Sequence, residues 1–310
     1  MGNYRTKLSR AGIKDVAVNA GKRSRSNPEG ASQRANIKRP RRGEIQFLPN
    51  YPRGENKDTL ETQRMEMVEE FKKTPADRDM ILIYTYMQHT FALRREEIVT
   101  LAPPITEFKA RWPGLFSEAH VYGEFHRVAS QNLQYSFFAA LDRHTPQLLK
   151  LYKQRRTGAF GEKMKDLLIA YEEQDKNDIT AARTAALAGL PLYLKEDSSE
   201  IFKSCKEEES EAFQEGAVAL VAMVDEEDTV SGIPFQPRHV SVILEDQVVM
   251  SLKSWTDAVV VLFGLIYALN LSYPAKLSGF FEFIQVILLN LDDERKQLKA
   301  KLQALKNELG

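Results

Sequence analysis

Cysteine is almost absent from this chain: Cys205 is the only one among 310 residues, so no internal disulfide can form. The first twenty residues also lack the apolar stretch of a secretory signal. These two absences exclude the class of secreted proteins held together by disulfides, and they predict a reducing compartment. We expect the nucleus, with the cytoplasm as the alternative.

Long apolar runs are also missing. The longest, residues 258–269, spans twelve residues, whereas an α-helix needs about twenty to cross a bilayer. The next run, residues 280–289, is interrupted by Glu282 and Gln285. Both segments are therefore predicted to be buried helices of a globular core, and the hydrophobic fraction of 43% is sufficient for one.

Recognisable catalytic and ligand-binding patterns are lacking as well. Residues 158–161 contain two glycines but no following Lys-Ser or Lys-Thr pair, which a phosphate-binding loop requires. The acids at 207–209 and 225–228 form consecutive runs, which are typical of solvated loops, and we expect Cys205 to lie in such a loop. We predict no catalytic, cofactor-binding or metal-binding residues and no enzymatic activity. The histidines, whose spacing does not fit a metal site, are His89, His120, His126, His144 and His239.

One enzymatic alternative stays open. A long helix predicted after Ser117 carries acids and bases that could form an active site if they converged in a deep pocket. These residues are Glu124, His126, Arg127, Asp142 and His144.

What the chain does have is a strong charge asymmetry, although its formal net charge is zero. Residues 1–54 contain thirteen Lys and Arg against three acids, so this segment carries +10 and the rest of the chain carries −10. A basic segment joined to an acidic body attracts polyanions through the segment alone. Because apolar residues are also scarce there, we predict that residues 1–56 form a basic, largely disordered arm.

The positive charge of the arm is concentrated between residues 22 and 42, in two groups that resemble a bipartite nuclear localisation signal. An extended basic strand of this kind fits the acidic groove of an import receptor. The same side chains could contact nucleic-acid phosphates without reading a base sequence. A solvated tail that only maintains solubility is the alternative. The predicted signal consists of Lys22, Arg23, Arg25, Lys38, Arg39, Arg41 and Arg42.

The first six residues match the M-G-x-x-x-[ST] pattern for N-myristoylation, with Gly2 as the acceptor. The basic residues that follow would supply the second signal that stable anchoring requires. This match gives an alternative function, a peripheral membrane adaptor, which would oppose nuclear entry. Membrane association is expected only if Gly2 is acylated.

Apolar residues follow helical spacing from about residue 58 to residue 189, which predicts a helical domain over residues 57–190. Asp58 or Thr59 is expected to cap the first helix, and Pro146 is expected to restart the long helix that follows Ser117. Trp112 stands beside a forced turn. We predict that it fills a buried corner between helices, and a knob that binds a partner is the alternative.

After residue 191, short β-branched runs replace the helical spacing. Residues 217–224 predict a strand, and residues 240–252 predict a hairpin that reverses at 245–247. A Ser254/Asp257 capping box then precedes an apolar helix, and a second helix is predicted at 276–290.

The fold class is α+β, mostly helical, with a small antiparallel β-hairpin or sheet and a C-terminal helical hairpin; residues 191–310 form its small α+β domain. The final leucines follow coiled-coil spacing, although the repeat is short enough to pack on its own domain: Leu291, Leu298, Leu302, Leu305 and Leu309.

Several segments together resemble a family of uncharacterised proteins described as sterile alpha motif domain-containing protein 3-like. They read YRTKL at 4–8, ANIKRPRR at 35–42, FLPN at 47–50, TFALRR at 90–95, RWP at 111–113 and FGLIYAL at 263–269. The resemblance covers nearly the whole chain. Family members often carry additional upstream sequence, and we do not expect the sterile alpha motif itself within these 310 residues. The family offers no catalytic residues to transfer to this chain. We predict no cofactor, and the identity of the protein partners stays open.

Overall fold

A computed structural model of the chain describes residues 37–38, 48–154, 158–206, 218–225, 232–291 and 298–310. These residues form an α+β fold in which helices predominate, as the sequence predicts. The helices are α1 (Lys57–Lys72), α2 (Met80–His89), α3 (Phe91–Thr100), α4 (Ile105–Arg111), α5 (Glu118–Ala129), α6 (Leu133–Gln154), α7 (Ala159–Glu172), α8 (Ile179–Leu194), α9 (Trp255–Ala268), α10 (Ser278–Phe283) and α11 (Ala300–Leu309). The strands are β1 (Ile37–Lys38), β2 (Phe202–Lys206), β3 (Val218–Val224), β4 (His239–Leu244), β5 (Gln247–Leu252) and β6 (Tyr273–Pro274). Within the described ranges, no helix is long and apolar enough to cross a membrane.

The first helix is capped by a residue other than those predicted. Asn56 Oδ1 accepts hydrogen bonds from the backbone N–H groups of Asp58 and Thr59, at 2.9 and 3.0 Å. The Asn56 backbone N–H donates to Thr59 Oγ1 at 3.0 Å, which completes a capping box. Thr59 is therefore the third residue of α1, and the helix begins two residues earlier than its apolar spacing indicates.

The prediction of one long helix after Ser117, restarted at Pro146, is wrong in two respects. The segment breaks after Ala129, because Ser130 adopts the left-handed conformation with φ of 53° and ends α5. Helix α6 then continues through Pro146. A proline removes one helical hydrogen bond, but the buried face of α6 runs unbroken from Leu141 to Leu148, and its packing outweighs that loss.

The sheet has the order β2-β3-β4-β5. The predicted hairpin is confirmed: β4 and β5 pair antiparallel, and Glu245 and Asp246 both have positive φ, as primed two-residue turns require. The sheet is mixed, however, because β2 pairs parallel to β3. The expectation that Cys205 lies in a loop is also wrong, since it is fully buried in β2.

Helix α9 lies at the centre of the core, with nearly every residue buried. Half of its predicted capping box is confirmed: Ser254 Oγ accepts from the Asp257 backbone N–H at 3.1 Å, while the Asp257 carboxylate accepts from the Ser254 hydroxyl at 2.7 Å rather than from the Ser254 backbone N–H. Gly264 lets α9 approach α5 closely, because an added Cβ would lie 2.6 Å from Val121 Cγ1.

Near the C-terminus, Leu302 and Leu305 belong to this same core. Coiled-coil pairing with another chain stays a prediction.

Candidate functional site

Among the described residues, the predicted localisation signal contacts the folded body through strand β1. The backbone of β1 pairs antiparallel with β6, which places Ile37 opposite Pro274 and Lys38 opposite Tyr273. Tyr273 is buried, and its hydroxyl group donates to Gln285 Oε1 at 2.8 Å. The second basic group of the signal thus starts at the edge of the body. The other predicted residues lie outside the described part of the chain, and so does most of the predicted arm: Gly2, Lys22, Arg23, Arg25, Arg39, Arg41 and Arg42.

A buried arginine cluster, formed by Arg94, Arg95 and Arg127 around Glu124, lies between α3 and α5. Arg94 and Glu124 are both fully buried and form a two-point ion pair, with Nε to Oε1 at 2.9 Å and Nη2 to Oε2 at 2.7 Å. Arg127 Nη1 donates to the same Oε2 at 2.8 Å. Burial alone would raise the pKa of Glu124, but the two guanidinium groups hold it below the ordinary value.

Arg95 is the least satisfied member of the buried arginine cluster. Its side chain is fully buried, and its Nη1 makes long contacts of 3.4 and 3.3 Å with the backbone oxygens of Tyr267 and Ala268 at the end of α9. Its Nε and Nη2 have no hydrogen-bond partner among the residues that the structure describes. Burial lowers the pKa of Arg95 from 12.5 to about 10, while Glu124 opposes this shift. The backbone oxygens of Tyr267 and Ala268 also place the negative end of the α9 dipole beside this cation.

His120 lies beside this cluster on α5 and is buried, with its ring 6.4 Å from that of Tyr84. Burial, followed by the positive charges of Arg94 and Arg127, lowers its pKa from 6.5 to about 4. The unfolded chain therefore binds a proton at His120 below about pH 6.5 that the folded chain takes up only near pH 4. Folding is consequently weakened as the pH falls through this window.

We expect the His120→Gln variant to lose less stability between pH 6.5 and pH 4 than the native chain, because it removes this titration. The free energy of unfolding, measured in urea at several pH values, tests this. His126→Gln is the matched control, since it makes the same substitution at an exposed histidine on the same helix. Parallel pH profiles for the native chain and the His120 variant would contradict the expectation.

Trp112 lies within a second group of charged side chains, around α4. It is fully buried, which confirms the prediction of a buried corner between helices. Its Nε1 donates to Glu97 Oε2 at 2.7 Å, and Arg111 donates to Glu97 and Glu61. The carboxylates of Glu97 and Glu61 raise the pKa of Arg111. Hydrogen bonds from Arg64 and then from Arg111 lower the pKa of Glu61 to about 2. The group joins α1, α3 and α4 by charge-assisted hydrogen bonds.

The residues of the enzymatic alternative do not form one constellation. Glu124 and Arg127 belong to the buried arginine cluster, whereas His126 is exposed. Asp142 lies on α6 and forms a two-point ion pair with Arg183 of α8. His144 is also on α6, and burial lowers its pKa. Among the described residues, no group of three or more His, Cys, Asp or Glu could hold a metal ion.

Sequence reasoning did not identify Arg94 and Arg95 as members of a buried cluster. The local signal was weak: both arginines lie between Leu93 and Ile98, but they are followed by Glu96 and Glu97. Successive residues are about 100° apart around a helix, so this spacing alone does not decide which side chains face the body. The structure buries both arginines.

A comparison with models of protein families gives a match over part of the chain. Residues 60–117, which include α2, α3 and α4, match the model of the helical domain of sterile alpha motif domain-containing protein 3. This match supports the family resemblance indicated by the sequence. No curated protein and no solved structure matches the chain.

Proposed function

We propose that this chain, similar to sterile alpha motif domain-containing protein 3 in its helical segment, is a non-enzymatic interaction protein that its basic arm directs to the nucleus. The observation that carries the proposal is the charge separation, +10 over residues 1–54 and −10 over the rest. Eight of the thirteen basic residues lie between positions 22 and 42. The acidic body then acts as an adaptor that binds other proteins.

The conformation at the start of the second basic group agrees with this role. Import receptors take an extended basic strand, and Lys38 lies in the extended strand β1, which has to leave its pairing with β6 before a receptor can bind it. Contact with nucleic-acid phosphates is a second use of the same side chains, since each basic residue that neutralises a phosphate releases a counterion.

The full chain fused to a fluorescent protein is expected to accumulate in nuclei. Replacing Lys38, Arg39, Arg41 and Arg42 with alanine should distribute it evenly, because half of the bipartite signal is lost. The matched control replaces four basic residues outside the signal, Arg5, Lys7, Arg10 and Lys14, and should leave the accumulation unchanged. An even distribution of the native fusion, or equal effects of the two variants, would contradict the import role.

Two further observations in the same cells separate the alternatives. A nuclear signal that washes out of permeabilised cells as salt is raised indicates phosphate contact in addition to import. A signal at membranes that the Gly2→Ala variant releases indicates the myristoylated adaptor instead. The import proposal predicts that Gly2→Ala has no effect.

A further inference from the structure

A cavity of about 450 Å³ opens where the helices meet the sheet. Helix α7 and the end of α8 form one side, and the start of β2 and the segment at 232–233 form the other. Pockets often occur at such junctions, and this volume lies within the range typical of small-molecule sites. The lining residues are Lys163, Asp166, Leu167, Ala170, Leu192, Ser198, Ser199, Phe202, Gly232 and Ile233.

The floor of the cavity is apolar. Leu167, Leu192 and Phe202 are at least nine-tenths buried, and the Phe202 ring is held edge-on by Trp255, with ring centres 5.4 Å apart. On the opposite side, a Cβ added to Gly232 would meet no atom of the described residues within 4 Å. A flat hydrocarbon body could therefore enter beside Gly232 and rest on the aromatic floor.

The rim favours a positive charge. Lys163 is already engaged by Asp197, with Nζ 3.3 Å from Oδ1. Asp166 lies one turn further along α7, lines the same opening, and has no ion-pair or hydrogen-bond partner among the described residues. Among the described charged groups at the rim, Lys163 and Asp197 pair with each other and the Asp166 carboxylate is left uncompensated, on a body that is acidic as a whole.

We propose that this cavity binds a small amphipathic cation, in which an apolar body fills the floor and an ammonium group pairs with Asp166. The apolar contact provides most of the affinity, because ion pairs at exposed positions contribute little. The carboxylate instead selects the sign of the ligand's charge. Among the described residues at the rim, an anion of the same shape would meet the unpaired Asp166 carboxylate, because Lys163 is already paired with Asp197.

The test uses two probes with the same body and opposite charge, 1-naphthylmethylamine and 1-naphthaleneacetic acid, titrated into the full chain by calorimetry or NMR. We expect the amine to bind at least about five-fold more tightly than the acid. Asp166→Asn should weaken the amine by about two- to five-fold, the range of exposed ion pairs. Glu162→Gln, which removes an acid from the same helix outside the cavity lining, should leave its affinity unchanged.

A second variant separates the cavity from surface attraction. Ala170→Trp fills the opening and should abolish binding of both probes, with thermal unfolding showing that the variant is folded. Three results would overturn the proposal: no binding of the amine to the native chain, equal affinity for amine and acid, or unchanged binding in the folded Ala170→Trp variant.

Discussion

Replacing Glu124 with glutamine is expected to lower the free energy of unfolding by about 3–5 kcal/mol, the range observed when one partner of a buried ion pair is removed. The Glu124 carboxylate accepts hydrogen bonds from both Arg94 and Arg127, and Arg94 is completely enclosed. Glutamine keeps the shape of the side chain but leaves the buried arginine charges without a counterion. Urea unfolding at pH 7 measures the loss.

The matched control for this change is Glu69→Gln. Glu69 pairs with Lys72 at 2.5 Å, and both side chains are about two-thirds exposed. Solvent screens such a pair, so the control should lose less than about 1 kcal/mol. Equal losses for the two variants would mean that Glu124 contributes no more than a surface acid.

Replacing Trp112 with alanine is expected to cost a similar amount, about 3–5 kcal/mol, the range for truncating a buried tryptophan. The indole fills the corner between α1, α3 and α4, and its Nε1 is a hydrogen-bond donor to Glu97. The guanidinium groups of Arg64, Arg94 and Arg111 lie within 6.0 Å of its ring centre, so truncation also removes cation–π contacts. Thermal and urea unfolding of the variant measure the effect.

Tyr135→Ala provides the comparison for Trp112, because Tyr135 is an aromatic residue that remains 75% exposed. Its stability should stay within about 0.5 kcal/mol of the native chain. A loss at Trp112 as small as that at Tyr135 would show that the corner can rearrange around the missing indole.

The elements best predicted from sequence are those specified by neighbouring residues. The β4–β5 hairpin depends on a turn of adjacent polar residues between β-branched runs, and the start of α9 depends on Ser254 and Asp257 three residues apart. Each pattern is complete within a few positions, so it can be recognised without knowledge of the tertiary structure.

The elements that were missed depend on distant parts of the chain. Strand β2 has the mixed sequence FKSCK, and it becomes a strand by pairing with the buried β3 beginning at Val218. The unbroken course of α6 through Pro146 likewise depends on packing against other helices, which outweighs a local propensity.

The buried arginine cluster was predictable only in part. Glu124 and Arg127 stand out on their own helix, but the ion pair joins Arg94 to Glu124 across thirty positions in the sequence. Only the packing of α3 against α5 brings the two charges together. The cavity beside Asp166 is similar, because its lining comes from residues as far apart as Lys163 and Ile233.

The close contact of α9 with α5 has a thermodynamic consequence. Gly264 brings the two helices together, and α9 is buried on nearly all sides. Leu60 in the first helix and Leu305 in the last helix therefore belong to one continuous core. Cutting such a core leaves two complementary apolar surfaces, and each half loses the burial that offsets its chain entropy. The segment 60–117 is therefore best regarded as part of a larger cooperative unit, and binding studies of this chain require the body that completes it.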